Sequence, residues 1–354
     1  MSSLVRSVII AVAALLACCV PAPVPPDGGN TFTAEPGGVW VLCEGLWRQN
    51  DSELWFASAT GATGDVVQLM NPEAPLGDTG SDILRRGDTL FVAINGSRCI
   101  DVIHAVSGRR ITRILLDGRK EPYRLALADD STLYCSNLND DSITEIDART
   151  LDVRLLHVPV GPAPEGIAAS SSIVAVANSG LGDLRRTEEG AGSVYIYRRF
   201  DMLRTHVIDG LINVASIRID QPRNTMWVTY RHLPSQPDSL GGLVAFDLAS
   251  YAERGRWRVA APRALEIDRS TGDAYVLHAD GIDVVATGAL RRVAWHRSQG
   301  DSVWYSLGID PRGSLWVGDA KSYRTPGDVI VLDRSGHEVR RMRVGRNPTA
   351  FAFP

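Results

Sequence analysis

Apolar segments recur along this chain in pairs that share one design. An alternating segment ends in Ile-Asp, a tight turn rich in Asp, Pro, Gly or Asn follows, and a second apolar segment carries an aromatic residue near its start. The pairs lie at 219–228, 267–276 and 309–317, with variants at 125–134 and 83–91. Alternation with a period of two marks half-buried strands, and such turns mark hairpins. The pattern predicts a β-hairpin that repeats every 45 residues or so, roughly the period of a propeller blade.

Two further segments follow each hairpin. The third is apolar, as at 194–197 and 243–247, and the fourth is more polar, as at 153–158 and 339–344. Four antiparallel strands that grade from apolar to polar are typical of a propeller blade whose polar strand faces solvent at the rim. Six such units occupy residues 81–345.

The two ends of the chain supply a seventh unit. Residues 39–42, 54–57 and 66–69 have the pattern of second, third and fourth strands without a first, and residues 347–354 resemble a first strand without its blade. Joining them closes a ring. We therefore predict an all-β fold over residues 39–354: a seven-bladed β-propeller of four-stranded antiparallel blades, in which the C-terminal strand completes the first blade.

The N-terminal residues lack this pattern. Residues 1–17 combine a charged start with a short apolar run, which predicts a signal peptide, and the run is shorter than the roughly 20 residues of a membrane span. Leu15 to Cys18 (Leu-Leu-Ala-Cys) resembles the lipobox of bacterial lipoproteins, which implies acylation of Cys18. The alternative is an ordinary cleaved signal peptide. Residues 18–38 are rich in Pro and Gly and predict a lipid-anchored tether.

Composition narrows the possible partners. The net charge is −4 and there are no runs of charge, so we expect no nucleic-acid partner and membrane attachment through the lipid anchor only. Beyond the lipobox and its neighbour Cys19, three cysteines remain, Cys43, Cys99 and Cys135. Each lies in or beside an apolar strand pattern, which favours buried free thiols over a disulfide framework or a metal site.

Polar residues mark one end of every blade. In a propeller, the loops that leave second strands and enter first strands gather around the mouth of the central channel. We predict that the residues ending the second strands contact a ligand there: Glu44, Asn95, Asn137, Asn178, Tyr230, His278 and Asp319. The alternative is structural, since Asn and Asp at strand ends often satisfy backbone groups of turns.

The approach to the first strands repeats as well. Proline recurs there, at 122, 164, 262 and 348, and pre-sets the turn. The residues beside these prolines point toward the same mouth and complete the predicted binding set: Glu121, Tyr123, Glu165, Arg263 and Arg346.

Residues 133–137, 142–147 and 158–164 resemble the YVTN-type repeat of YncE-like propellers. The resemblance implies the fold more strongly than the ligand. Some lipid-anchored members of that superfamily capture cobalamin for an outer-membrane transporter, and residues 41–45 and 75–80 are similar to that branch. This implies a small-molecule ligand such as a corrinoid, and an envelope partner such as a TonB-dependent transporter. No acidic patch follows Cys18, so the sequence leaves open which side of the outer membrane the protein faces.

Catalytic motifs are missing from the sequence: it has no nucleophile elbow, no HExxH, no Gly-rich phosphate loop and no dense His/Cys cluster. We therefore expect a non-catalytic binding protein without a cofactor. A scaffold that docks other envelope proteins is one alternative. Another is a hydrolase that resembles the metal-dependent lactonases, which hold a divalent cation at the channel with one Glu, two Asn and one Asp. The matching residues, in that chain order, are Glu44, Asn137, Asn178 and Asp319.

Overall fold

Seven four-stranded antiparallel sheets form the fold, which confirms the predicted seven-bladed β-propeller. The computed structural model describes residues 30–236, 240–289, 291–297 and 302–354. From the centre outward, blade 1 consists of β28 (Pro348–Ala352), β1 (Val39–Cys43), β2 (Glu53–Ser58) and β3 (Gly61–Thr63). Blade 2 consists of β4 (Gly80–Arg86), β5 (Thr89–Ile94), β6 (Cys99–His104) and β7 (Arg110–Leu115).

The next three blades follow the same order. Blade 3 consists of β8 (Pro122–Asp129), β9 (Thr132–Asn137), β10 (Ser142–Asp147) and β11 (Val153–Pro159). Blade 4 consists of β12 (Pro164–Ala169), β13 (Ile173–Asn178), β14 (Ser193–Arg198) and β15 (Leu203–Ile208). Blade 5 consists of β16 (Val214–Asp220), β17 (Thr225–Tyr230), β18 (Gly242–Asp247) and β19 (Glu253–Arg258), with a 3-10 turn at Gln221–Arg223.

The last two blades complete the ring. Blade 6 consists of β20 (Ala264–Ile267), β21 (Ala274–His278), β22 (Gly281–Ala286) and β23 (Arg291–Arg297). Blade 7 consists of β24 (Trp304–Ile309), β25 (Leu315–Asp319), β26 (Asp328–Leu332) and β27 (Glu338–Arg343).

The aspartate that ends the repeated Ile-Asp pair organises the following turn. The carboxylate of Asp310 accepts hydrogen bonds from the backbone N–H groups of Arg312 at 2.8 Å and Ser314 at 2.9 Å. Asp268 accepts one from the backbone N–H of Ser270, also at 2.8 Å. Because a short acidic side chain can replace a missing backbone partner, these aspartates fix the tight hairpins between first and second strands.

The hydrophobic core is divided into seven clusters, one between each pair of neighbouring blades. Trp40 is fully buried in the cluster between blades 1 and 2, and Trp227 in the one between blades 5 and 6. The second strands contribute to clusters on both of their faces, which explains why they are almost continuously apolar.

The outer edge of blade 1 differs from the prediction. We expected a fourth strand at 66–69, and this was wrong: the strand is β3, and Val66–Met70 form a short helix, α1. Asp65 caps the helix by accepting hydrogen bonds from two backbone N–H groups of its first turn, at 3.1 and 3.3 Å. The apolar residues of α1 pack into the cluster between blades 1 and 2, so a helical turn buries them as well as a strand would.

The end of the predicted tether packs against blade 1. The ring of Phe32 lies 5.5 Å from that of Trp40 and 5.4 Å from that of Phe56, and the N–H of Ala34 donates to the carbonyl of Val106 at 2.8 Å. The compact unit accordingly extends from Thr31 to Pro354.

The predicted signal peptide, the acylated Cys18 and residues 18–29 of the tether lie outside the described residues. Among the described residues, no helix is long and apolar enough to cross a membrane. The thiols of Cys43, Cys99 and Cys135 are free and buried, and burial raises the pKa of Cys99 to about 11.

Closure of the ring depends on the pairing of the two chain ends. In blade 1, β28 pairs antiparallel with β1, so that Phe351 lies opposite Val41 and Ala352 opposite Trp40. The ring of Phe351 also lies 6.2 Å from that of Trp316 in blade 7. The last strand therefore joins blades 7 and 1, as the sequence predicts.

Removal of the last strand should weaken the whole fold. A chain that ends at Arg346 loses the inner partner of β1 and exposes the clusters on both sides of blade 1. We expect loss of cooperative unfolding, or a fall of more than about 10 °C in the melting temperature, measured by circular dichroism. The control is a chain that ends at Phe353 and keeps the strand. Equal melting of the two chains would contradict closure by β28.

Candidate functional site

The central channel holds a cavity of about 1050 Å³ that is lined mainly by the first strands of all seven blades. Sheet pairing aligns these strands with one another. In each, a large apolar residue, here called the anchor, lies opposite a buried residue of the second strand. The anchors are Ile83, Leu125, Ile167, Ile217, Leu265, Leu307 and Phe351.

In four blades, a charged residue stands directly before or after the anchor in the first strand. The other blades carry mostly small residues at these positions. Asp82 and Arg124 precede their anchors, at positions that are Gly, Ser or Ala in the other five blades. Arg218 and Glu266 follow theirs, where the other blades have Leu84, Gly308 or alanine. All four line the cavity, and we call them the charged layer.

The residues of the charged layer interact with one another and with the neighbouring backbone. Arg218 donates to both carboxylate oxygens of Glu266, at 2.5 and 3.3 Å. Burial raises the pKa of Asp82, while the positive charges of Arg124 and Arg218 oppose that shift. Asp82 also accepts a hydrogen bond at 2.9 Å from the backbone N–H of Leu125, in the next blade. These contacts hold the four charges in fixed places on the channel wall.

Arg124 has no carboxylate of its own. Its guanidinium donates to the carbonyl of Ser81 and lies 4.7 Å from the centre of the Tyr123 ring. It forms no ion pair within 4.0 Å with any other described residue. The nearby charges of Asp82 and Glu44 stabilise the guanidinium at longer range, so its hydrogen-bonding capacity is only partly used.

Glu44 and Tyr305 face Arg124 from the mouth. The hydroxyl of Tyr305 donates to the carboxylate of Glu44 at 2.5 Å, and the ring of Tyr323 packs edge-on against Tyr305 with centroids 5.8 Å apart. Burial raises the pKa of Glu44, while the Tyr305 hydrogen bond and the charge of Arg124 oppose that shift. Burial and the charge of Glu44 together raise the pKa of Tyr305.

Two more arginines lie at the mouth. Arg231 pairs with Glu165, whose side chain is only 10 % exposed. Arg263 is exposed, and its guanidinium donates to the carbonyl of Trp304 at 2.9 Å. Like Arg124, Arg263 has no ion-pair partner within 4.0 Å in the described part of the chain.

Of the seven residues predicted at the ends of the second strands, only Glu44 lines the cavity. Asn137 is fully buried, and its amide donates to the hydroxyls of Ser142 and Thr144, both at 3.0 Å. Asn178, also fully buried, accepts a hydrogen bond from the backbone N–H of Gly161 at 3.1 Å.

The other four make similar local contacts. Asn95 donates to the carbonyl of Pro122 at 3.3 Å, and Tyr230 packs in the cluster between blades 4 and 5. His278 is buried 3.6 Å from Asp283, and Asp319 accepts from the backbone N–H of Val303 at 2.9 Å.

Of the residues beside the prolines, Tyr123, Glu165 and Arg263 line the cavity. Glu121 and Arg346 do not: Glu121 accepts a hydrogen bond from Asn139 at 2.5 Å, and Arg346 pairs with Asp51 at 2.5 Å. The predicted set thus has four members at the cavity, Glu44, Tyr123, Glu165 and Arg263.

The four candidate ligands for a divalent cation lie in four different blades. Glu44 reaches the cavity, whereas the oxygens of Asn178 and Asp319 accept hydrogen bonds from backbone groups of their own surroundings. Among the described residues, no group of three or more His, Cys, Asp or Glu side chains is placed to hold a metal ion.

Sequence reasoning missed most of the polar residues that line the cavity, among them Asp82, Arg124, Arg218, Arg231, Glu266 and Tyr305. One signal in the sequence could have revealed the charged layer. When the first strands are aligned on their anchors, a charge at a position that is otherwise mostly Gly, Ala or Ser has no packing purpose and points to the channel.

No protein-family model matches the sequence, and no curated protein matches it. The fold is similar to solved structures. One is hydrazine synthase of Kuenenia stuttgartiensis, with a TM-score of 0.64, 16 % identity, and coverage of 77 % of this chain and 88 % of that chain. Another is a quinoprotein alcohol dehydrogenase-like protein of Bacteroides thetaiotaomicron, with a TM-score of 0.67, 12 % identity, and coverage of 92 % and 79 %. At these identities the likeness shows the β-propeller fold alone.

The Tyr305 hydroxyl should control the ionisation of Glu44. Because the folded pKa of Glu44 is raised, its contribution to the free energy of unfolding falls as the pH rises from the unfolded to the folded pKa. Tyr305→Phe removes a donor that stabilises the carboxylate, so we expect the pKa of Glu44 to rise further, by about one unit. Titration of the glutamate side-chain carboxyl carbons by NMR measures it.

Tyr323→Phe is the matched control, because the Tyr323 ring touches Tyr305 but its hydroxyl makes no hydrogen bond to Glu44 among the described contacts. An unchanged or lowered pKa of Glu44 in Tyr305→Phe would show that the hydrogen bond does not hold the carboxylate.

Proposed function

We propose that this protein is an exported, lipid-anchored binding protein of the cell envelope. In this proposal it holds a small molecule with an anionic group in the channel, without transforming it. The observation that carries the proposal is Arg124, a half-buried guanidinium that lines the cavity and has no ion-pair partner among the described residues. Arg218 and Arg231, by contrast, are paired with Glu266 and Glu165.

The unpaired state of Arg124 favours an anion. A cation removed from water loses hydration, and a carboxylate or phosphate that accepts two parallel N–H groups replaces it with strong hydrogen bonds. Arg263 offers a second guanidinium at the mouth, which donates to the carbonyl of Trp304 and has no ion-pair partner among the described residues. Glu44 offers an acceptor for N–H or O–H groups of the same ligand.

The cavity has the composition expected of a ligand site. Its volume of about 1050 Å³ lies slightly above the usual range for small-molecule pockets, roughly 300–1,000 Å³. The rings of Tyr123, Tyr305 and Tyr323 add flat apolar surface beside the charged groups. Aromatic walls combined with a few convergent polar groups are typical of small-molecule sites.

The resemblance to lipid-anchored propellers that capture cobalamin adds one ligand to test. Cobalamin carries a phosphodiester and several amides, which suit Arg124 and Glu44. Delivery to a TonB-dependent transporter in the outer membrane is the corresponding partner proposal. No surface feature described above supports the alternative of a scaffold that docks other envelope proteins.

A metal-dependent hydrolase is the second candidate from the sequence. It has less support than binding, because Glu44 is the single member of its four-residue ligand set that lines the cavity. Asn137 and Asn178 are fully buried within their blades. The hydrolase stays a prediction, and turnover of a lactone that depends on added Ca²⁺ would establish it.

Anion binding should depend on Arg124. Isothermal titration of the mature protein with butanoate, inorganic phosphate and cobalamin should show binding of at least one of them. Arg124→Gln should weaken that binding roughly tenfold to a hundredfold, as expected for loss of a charged hydrogen-bonded contact.

The matched control is Arg149→Gln, which removes the same charge from an exposed turn between β10 and β11. Two results would overturn the proposal: no heat with any of the three probes, or equal weakening by Arg149→Gln and Arg124→Gln.

A further inference from the structure

The channel changes character beyond the charged layer. The residues two positions after the anchors are apolar in six of the seven blades, and all line the same cavity. We call these six the apolar layer: Leu127, Ala169, Ile219, Ile267, Ile309 and Phe353. Blade 2 has Arg85 at the equivalent position.

The apolar layer is not fully buried by the protein. Its members are half-buried, whereas six of the seven anchors are buried. Leu127, Ile219 and Ile309, for example, pack on the edges of interblade clusters with one side and face the cavity with the other. Apolar surface that surrounds a cavity of this size is favourable to cover, because water there gains few hydrogen bonds.

The apolar layer lies directly beyond an anion-binding group. Arg124 and Leu127 belong to the same strand, β8, and lie three positions apart, or roughly 10 Å at about 3.3 Å per residue. An anionic group at Arg124 therefore places the rest of the ligand within reach of the apolar layer. After the apolar layer, the cavity is again lined by polar residues, including Asp268, Arg269 and Asp310.

We propose that the channel binds an amphiphilic carboxylate of medium chain length. Its carboxylate pairs with Arg124 in the charged layer and its hydrocarbon chain lies along the apolar layer. This proposal rests on the proposed function for the binding of the carboxylate by Arg124. It adds that the rest of the ligand is a hydrocarbon chain. A purely polar ligand would leave the apolar layer wet and would gain nothing from it.

The test is the dependence of affinity on chain length. The mature protein is titrated calorimetrically with butanoate, hexanoate, octanoate and decanoate, which share one head group. Each methylene that the apolar layer covers should tighten binding roughly fourfold, the factor that corresponds to burial of one CH₂. A dissociation constant independent of chain length overturns the proposal.

Substitutions in the apolar layer test whether the hydrocarbon chain of the ligand lies there. Ile219→Ser should weaken decanoate several-fold and leave butanoate unchanged. Ala169→Leu places a larger side chain in the cavity, so it should also weaken decanoate and leave butanoate unchanged, because the space for the hydrocarbon chain is taken. This variant keeps the test valid if Ile219→Ser fails to fold. Leu156→Ser, on the outer strand β11, is the control and should change neither ligand.

The two proposals fail in different ways. Butanoate binding that is lost in Arg124→Gln, together with a flat chain-length series, would leave the anion site intact and remove the apolar one. A steep series that is unaffected by both Ile219→Ser and Ala169→Leu would place the chain outside the apolar layer and would also overturn the inference. If no member of the series binds but phosphate or cobalamin binds in an Arg124-dependent way, the amphiphile is removed and the anion site stays; no binding of any carboxylate, of phosphate or of cobalamin removes both proposals.

Discussion

Backbone pairing between β28 and β1 is the contact on which the ring depends. Each blade packs on two neighbours through an interblade cluster, so an open ring would leave two cluster halves exposed to water. The pairing brings Phe351 and Phe353 against Trp316 of blade 7 and completes blade 1 at the same time. Closure also makes the seven first strands face one another across a channel. The candidate site exists only because those strands converge.

The channel combines two environments that a single strand could not provide. Four first strands contribute the charged layer, and six contribute the apolar layer, which follows the charge by three positions in β8 and by one position in β16 and β20. Three of the charges are balanced by partners or by backbone N–H groups, as Arg218 is by Glu266. Arg124 is the exception, because within the described part of the chain its guanidinium contacts one carbonyl and one aromatic face and forms no ion pair. The same residue supports both the anion site and the placement of a chain beyond it.

The fold could be predicted from the sequence because hairpin period and turn chemistry are local. The helix at Val66–Met70 could not, since four apolar residues in five suit a helical turn or a strand, and packing decided between them. The site was predicted only in part. Asn137 and Asn178 follow the second strands as expected, but sheet register turns their amides into the blade. Arg124 can be recognised as a channel residue only once the first strands are aligned on their anchors.

The most direct test of this account is a crystal structure of the protein with 8-bromooctanoate, in which anomalous scattering locates the bromine. We predict the carboxylate at the guanidinium of Arg124 and the bromine peak among Leu127, Ile219 and Ile267. A bromine peak at the mouth near Tyr323, or on the outer rim of the blades, would contradict a channel that holds both ends of an amphiphile.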